Sequence, residues 1–112
     1  MRVLFVCSQN YMRSLTAETA FNSAGGHEVR SAGTLPSARR RVTGGDVRWA
    51  ELIFVMETAH IRQLERAFPE ELAAKQLVCL NIPDEFNYMD AELVARLRSA
   101  AAPYVVFPEV AA

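Results

Sequence analysis

The sequence predicts an α/β fold, a three-layer sandwich in which a four-stranded parallel sheet is flanked by helices. Two observations carry this. Short apolar runs alternate with segments of helical periodicity along the chain. The first run, Arg2 to Val6, is apolar at almost every position rather than at alternate ones. A strand covered on both faces, as in a parallel sheet, reads that way.

The elements follow in order. Ser14 to Ala24 reads as a helix, because Leu15, Ala17, Glu18, Ala20, Phe21 and Ala24 include the spacings of one apolar face. Gly25-Gly26 ends it. His27 to Ala32 is a second strand closed by Gly33, and Thr34 to Gly45 has the prolines, arginines and glycines of a surface loop. Asp46 to Ala50 is a short helix before the strand Glu51 to Met56. Thr58 to Phe68 is helical through Ile61, Leu64 and Phe68, with Pro69 closing it. Gln76 to Ile82 is the fourth strand, broken at Pro83, and Asp90 caps a last helix to Ala102. The end, Pro103 to Ala112, is either an apolar tail packed on the domain or a frayed one.

At 112 residues the chain has room for a single domain, 1–112. A chain of this size buries roughly two-thirds of its unfolded surface, enough for a core without disulfides or a structural metal. The net charge of −1 gives no field that would recruit nucleic acid or an anionic membrane. The run Val3 to Val6 is too short for a signal-peptide core or a membrane span. Two cysteines far apart, Cys7 and Cys79, are neither a disulfide framework nor a zinc ligand set. The reading is a cytoplasmic protein with free thiols, no metal and no cofactor.

Cys7-Ser8-Gln9-Asn10-Tyr11-Met12-Arg13-Ser14 falls between the first strand and the first helix. Ligands of open α/β sheets bind beyond the carboxyl ends of the strands, where this turn lies. Five residues between Cys7 and Arg13 allow successive backbone N–H groups to point inward as an anion nest. The helix that follows aims its positive end at the same point. Arg13 has the planar fork that binds two phosphoryl oxygens, and Ser14 brings a hydroxyl that can donate to the Cys7 thiolate, the attacking species. Taken alone, a cysteine six residues before an arginine is weak. A cysteine ending a buried strand is often only a small core residue.

The stretch Val3 to Glu18, with Cys7, Asn10, Arg13-Ser14 and Ala17-Glu18 in place, resembles the opening of the low-molecular-weight protein tyrosine phosphatases. Ser31-Ala32-Gly33-Thr34 and Ala50 to Glu57 are similar to later motifs of that family, and the nearest likeness is a short bacterial subgroup of tyrosine phosphatases. The resemblance spans about residues 1–90. It implies a phosphomonoester hydrolase in which Cys7 forms a phosphocysteine and Arg13 binds the phosphoryl group. It further implies that Asn10 and Ser14 hold the loop, while backbone N–H groups of Ser8, Gln9, Asn10, Tyr11, Met12 and Arg13 bind phosphate-like anions. The substrate is then a phosphorylated protein or a small phosphomonoester.

The family places its general acid, an aspartate followed by proline, after the fourth strand. Here the order is Pro83-Asp84-Glu85, which makes Asp84 the first candidate and leaves Glu85 and Asp90 as alternatives. Phe86 and Tyr88 are candidates for an aromatic wall. Met12 stands where many members carry a second cysteine beside the arginine. An arsenate reductase of the same fold is an alternative that needs Cys79 or an outside thiol. A phosphate-binding module without turnover is another. His27 and His60 read as ordinary surface or helix-start residues, Cys79 as core filler, Trp49 as an anchor for the short helix, and Arg39 to Arg41 as a solvated run.

Overall fold

A computed structural model of the chain describes residues 1–108; the final four positions of the predicted tail, 109–112, lie outside the described residues. Strands β1 (Arg2–Cys7), β2 (Glu28–Gly33), β3 (Leu52–Val55) and β4 (Gln76–Cys79) form one sheet in the order β2-β1-β3-β4, and every pairing is parallel. The helices are α1 (Arg13–Phe21), α2 (Gly44–Trp49), α3 (Thr58–Ala67), α4 (Pro69–Leu72) and α5 (Ala91–Ala101).

Alternation along the strands splits the apolar residues between two cores. Val3, Phe5 and Cys7, with Leu52 and Phe54, pack against Ala17 and Phe21 of α1 and Leu93 and Leu97 of α5. Leu4, Val6, Ile53 and Val55 pack on the other face, against Val47 of α2 and Leu64 of α3. This is the three-layer sandwich expected, and it explains why β1 is apolar throughout: Val3 to Val6 are wholly buried. The chain leaves β1 toward β2 and later returns to β3 on the opposite side. The sheet order therefore reverses at β1, opening a crevice beyond Cys7.

Several boundaries differ from expectation. Helix α1 stops at Phe21, three residues early, because Asn22 turns its side chain to accept from Val29 N–H and Ser23 takes a left-handed conformation. Strand β4 ends at Cys79 rather than Ile82, since Asn81 adopts φ 54° before Pro83. Helix α2 begins at Gly44, ahead of Asp46, because Thr43 and Asp46 form a reciprocal capping box. Pro69 closes α3 and also opens α4 at its first position, where a missing N–H costs nothing. The described part of the tail is packed. Val105 and Phe107 are buried, and Phe107 stacks on Phe21 at 4.5 Å and 6°.

Arg40 is half-exposed but partnered. It donates to Ser31 O at 2.9 Å and pairs with the buried Asp46 carboxylate. Burial pushes that carboxyl upward, but the hydrogen bonds from Arg40 and Thr43 outweigh it and hold Asp46 below its ordinary range.

Truncating Phe107 to Ala removes the ring stacked on Phe21, and we expect a loss of about 3–4 kcal/mol in unfolding free energy. Urea denaturation measures it; an unchanged midpoint would show that the tail is not docked.

Candidate active site

Cys7 is the last residue of β1 and Arg13 the first of α1, so the loop between them closes over the crevice at the sheet's reversal point. Met12, which precedes the helix, offers no side-chain cap, so the first N–H groups of α1 are left for another acceptor. The loop is held from inside by Asn10. Its backbone takes φ 62°, its side chain is wholly buried, and its Nδ2 donates to Ser14 Oγ at 2.7 Å and Ser31 Oγ at 2.9 Å. Ser14 Oγ lies 2.9 Å from Cys7 Sγ, and Asn10 N–H donates to the same sulfur at 3.3 Å. The Asn10 N–H is a donor to the sulfur, and the Ser14 hydroxyl can be a second. Gly33 packs so closely below that a Cβ there would meet Ser8 O at 2.5 Å.

The Arg13 guanidinium is almost fully buried and divided in use. Nη1 donates to Glu57 Oε1 and to Ile82 O at 2.8 Å. Nε lies 3.8 Å from Asp84 Oδ1, and Nη2 has no hydrogen bond among the described residues. The Nε–Nη2 edge is thus left open, and such an edge can serve as a fork for two oxygens of an anion. The pocket holds about 340 Å³ and is lined by Cys7, Ser8, Gln9, Asn10, Tyr11, Met12, Arg13 and Asp84. Ser14 sits beneath it, buried.

Of the three candidate acids, Asp84 alone lines the pocket. Asp90 accepts from Glu92 N–H at 2.8 Å as the cap of α5. Phe86 and Tyr88 are corrected: neither lines the pocket. Phe86 packs against the core beside Arg96, and the Tyr88 hydroxyl pairs with Thr19 Oγ1 at 2.8 Å. The exposed apolar side chains on the pocket lining are Tyr11 and Met12. Arg39 is likewise not a free loop residue, since its Nε donates to Asn10 O at 3.1 Å and its N–H to Gln9 O at 2.9 Å. Trp49 packs as the anchor of α2, with Arg30 over its ring at 4.1 Å.

The sequence reading gave His60 no part in the site. The residue starts α3 as expected, yet it is buried, not on the surface. Its Nδ1 accepts from Glu57 N–H at 3.1 Å, and its Nε2 lies 2.9 Å from Ser8 Oγ. Burial, and then the positive charge of Arg13, hold this imidazole below the ordinary histidine value. One signal was available: His60 occupies the third helical position, where a side chain reaches back to the cap.

Among the described residues, no three of His, Cys, Asp and Glu lie close enough to hold a metal ion, and no helix is long and apolar enough to cross a membrane.

No model of a protein family matches the sequence, and no curated protein does. Solved structures do match. The tyrosine phosphatase Wzb from Escherichia coli K30, determined with phosphate, has a TM-score of 0.72 at 20% identity, over 92% of this chain and 94% of that one. A low-molecular-weight protein tyrosine phosphatase from T. tengcongensis matches at 0.68 and 22%, over 91% and 93%. The YwlE arginine phosphatase from Geobacillus stearothermophilus matches at 0.68 and 19%, over 96% and 99%. The fold is that of the low-molecular-weight protein tyrosine phosphatases. At these identities the likeness extends to the fold alone.

Two outcomes follow from this geometry. Cys7 and Cys79 lie two strand spacings apart, roughly 10 Å, and pack toward opposite faces of the sheet, beyond the reach of a disulfide. Mild peroxide treatment should oxidise Cys7 without an internal bridge; mass spectrometry finding a Cys7–Cys79 disulfide would contradict this. The depressed His60 value has a defined sign. The unfolded imidazole takes up its proton near pH 6.5, the folded one only at lower pH. His60 therefore contributes its full share above about pH 6.5 and loses it as pH falls toward the folded value. Urea unfolding at pH 7.5 and 5.5 should show a smaller loss in His60→Gln than in the wild type.

Proposed function

We propose that the protein is a cysteine-dependent phosphomonoester hydrolase of the phosphotyrosine type, acting in the cytoplasm on a phosphorylated protein or a small phosphomonoester. The observation that carries this reading is the meeting of Cys7, the Arg13 fork and the Asp84 carboxyl around one pocket sized for a phosphoryl group and part of its ester. The fold shared with phosphatases supports it.

The loop N–H groups from Ser8 to Arg13 and the Nε–Nη2 edge of Arg13 bind the three terminal oxygens, and Asn10 and Ser14 keep the loop closed. The Cys7 thiolate attacks phosphorus as the bond to the ester oxygen breaks, and Asp84 gives its proton to that leaving oxygen. The phosphocysteine is then attacked by water, whose proton returns to the Asp84 carboxylate as the S–P bond breaks and phosphate departs. Positioning and charge stabilisation supply most of what phosphoryl transfer needs, and the nest and Arg13 supply both.

The arsenate-reductase reading is weakened by Cys79, which packs toward the opposite face from Cys7 and is out of its reach. The binding-module reading leaves Asp84 beside Arg13 unexplained.

Hydrolysis of p-nitrophenyl phosphate between pH 4.5 and 8 tests the proposal. We expect Cys7→Ser to abolish turnover. Asp84→Ala should lower kcat by about 10² or more on an alkyl phosphate and much less on p-nitrophenyl phosphate, whose leaving group needs little protonation. Wild-type protein that binds phosphate without turnover would support the binding module instead.

A further inference from the structure

Ser8 lines the pocket, and its Oγ has one side-chain partner, His60. Which atom donates follows from the other side of the ring. Nδ1 faces the Glu57 backbone N–H, whose hydrogen is fixed by the peptide plane, so Nδ1 must be the bare, accepting nitrogen. A neutral imidazole then carries its proton on Nε2, and that proton points at Ser8 Oγ. A hydroxyl oxygen that accepts this bond turns its own hydrogen elsewhere.

We propose that His60 is a positioning residue for the phosphate loop: by donating from Nε2 to Ser8 Oγ it directs the Ser8 hydroxyl proton into the pocket as a side-chain donor to a phosphoryl oxygen. This rests on the phosphatase reading only in that the oxyanion is a phosphoryl group.

The other side of the ring meets the start of α3. Glu57 gives its N–H to His60 Nδ1 and its carboxylate to Arg13 Nη1. Arg13 is held apart from the ring, by the Glu57 carboxylate and by Ile82 O, so the ring reaches the pocket through Ser8 alone. The charges that act on the ring are Arg13, which lowers its proton affinity, and Glu57 and Asp84, which raise it. Protonating Nδ1 would set two N–H groups against each other at Glu57 and place a second cation beside Arg13. The depressed proton affinity of the ring agrees with the neutral, Nε2-protonated form.

His60→Gln is the conservative replacement, because a glutamine at the third helical position can accept from the cap N–H and still offer an amide donor. His60→Leu keeps the bulk and removes both functions.

Inorganic phosphate is the probe, its dissociation constant measured by calorimetry, so the test stands whether or not the protein turns over an ester. A failed phosphatase assay with this pattern of phosphate affinities intact would sink the function and leave the positioning role standing. We expect Ser8→Ala and His60→Leu each to weaken phosphate binding roughly tenfold, and His60→Gln to stay near wild type. The double variant Ser8→Ala/His60→Leu should be no weaker than Ser8→Ala alone, because His60 acts through that hydroxyl. Losses that multiply to about a hundredfold in the double variant would overturn the proposal. So would a His60→Leu protein that melts earlier yet binds phosphate as tightly as wild type. Should His60→Leu fail to fold, nitrogen-15 spectra of the wild-type ring decide: the proton on Nε2 is expected, and the proton on Nδ1 refutes the assignment.

Discussion

The buried side-chain amide of Asn10 is the contact on which the rest of the site depends. A non-glycine residue at φ 62° is held there only by what surrounds it, and here the surroundings are specific. Ser31 donates its hydroxyl proton to Glu18 Oε1 at 2.8 Å, so its oxygen is free to accept from Asn10 Nδ2. The second Nδ2 hydrogen goes to Ser14 Oγ, whose own proton then turns toward Cys7 Sγ or Ala32 O. From Asn10 the donors therefore run two ways, through Ser31 of β2 to the Glu18 carboxylate and to Ser14 beside the sulfur. The network joins β2, α1 and the loop through one side chain, and Arg39 closes it from outside at Asn10 O.

The sheet fixes where this network sits. Reversal of strand order at β1 leaves the crevice beyond its carboxyl end, and β1 needs apolar residues on both faces to occupy the centre. Arg13 is then positioned from two sides. Helix α1 sets its backbone, while Glu57 at the end of β3 and Ile82 O beyond β4 hold one nitrogen. Residues that follow two of the four strands thus meet helix α1 at one guanidinium, which is how a small domain holds a buried cation beside a pocket.

Local order made the strand–loop–helix unit around Cys7 legible from the sequence, because the residues that build it are neighbours. The same holds for Asp90 as a cap and for β1 as a central strand. Contacts across the fold were not legible. His60 is 52 residues from Ser8, and a lone histidine carries no spacing pattern; only its position after Glu57 hinted at a role. Phe86 and Tyr88 follow Asp84 closely in sequence, yet Phe86 is drawn into the core and Tyr88 onto Thr19, so nearness along the chain misled. Arg39 and Arg40 are solvent-exposed in part, as a solvated run should be, but their partners were not legible. Their partners, a loop carbonyl and a buried carboxylate, are set by the return of the chain past Gly33. The tail was ambiguous for a related reason: only the docked position beside Phe21 distinguishes packing from fraying.

The central claim is that Cys7 receives the phosphoryl group at the floor of a pocket shared with Arg13 and Asp84. Trapping the intermediate tests it most directly: the protein is mixed rapidly with p-nitrophenyl phosphate, quenched in acid and digested, and its peptides are weighed. The account predicts the mass of one phosphoryl group on the peptide that carries Cys7, absent from Cys7→Ser. Turnover with no phosphorylated Cys7 peptide, or with the group on another residue, would contradict it.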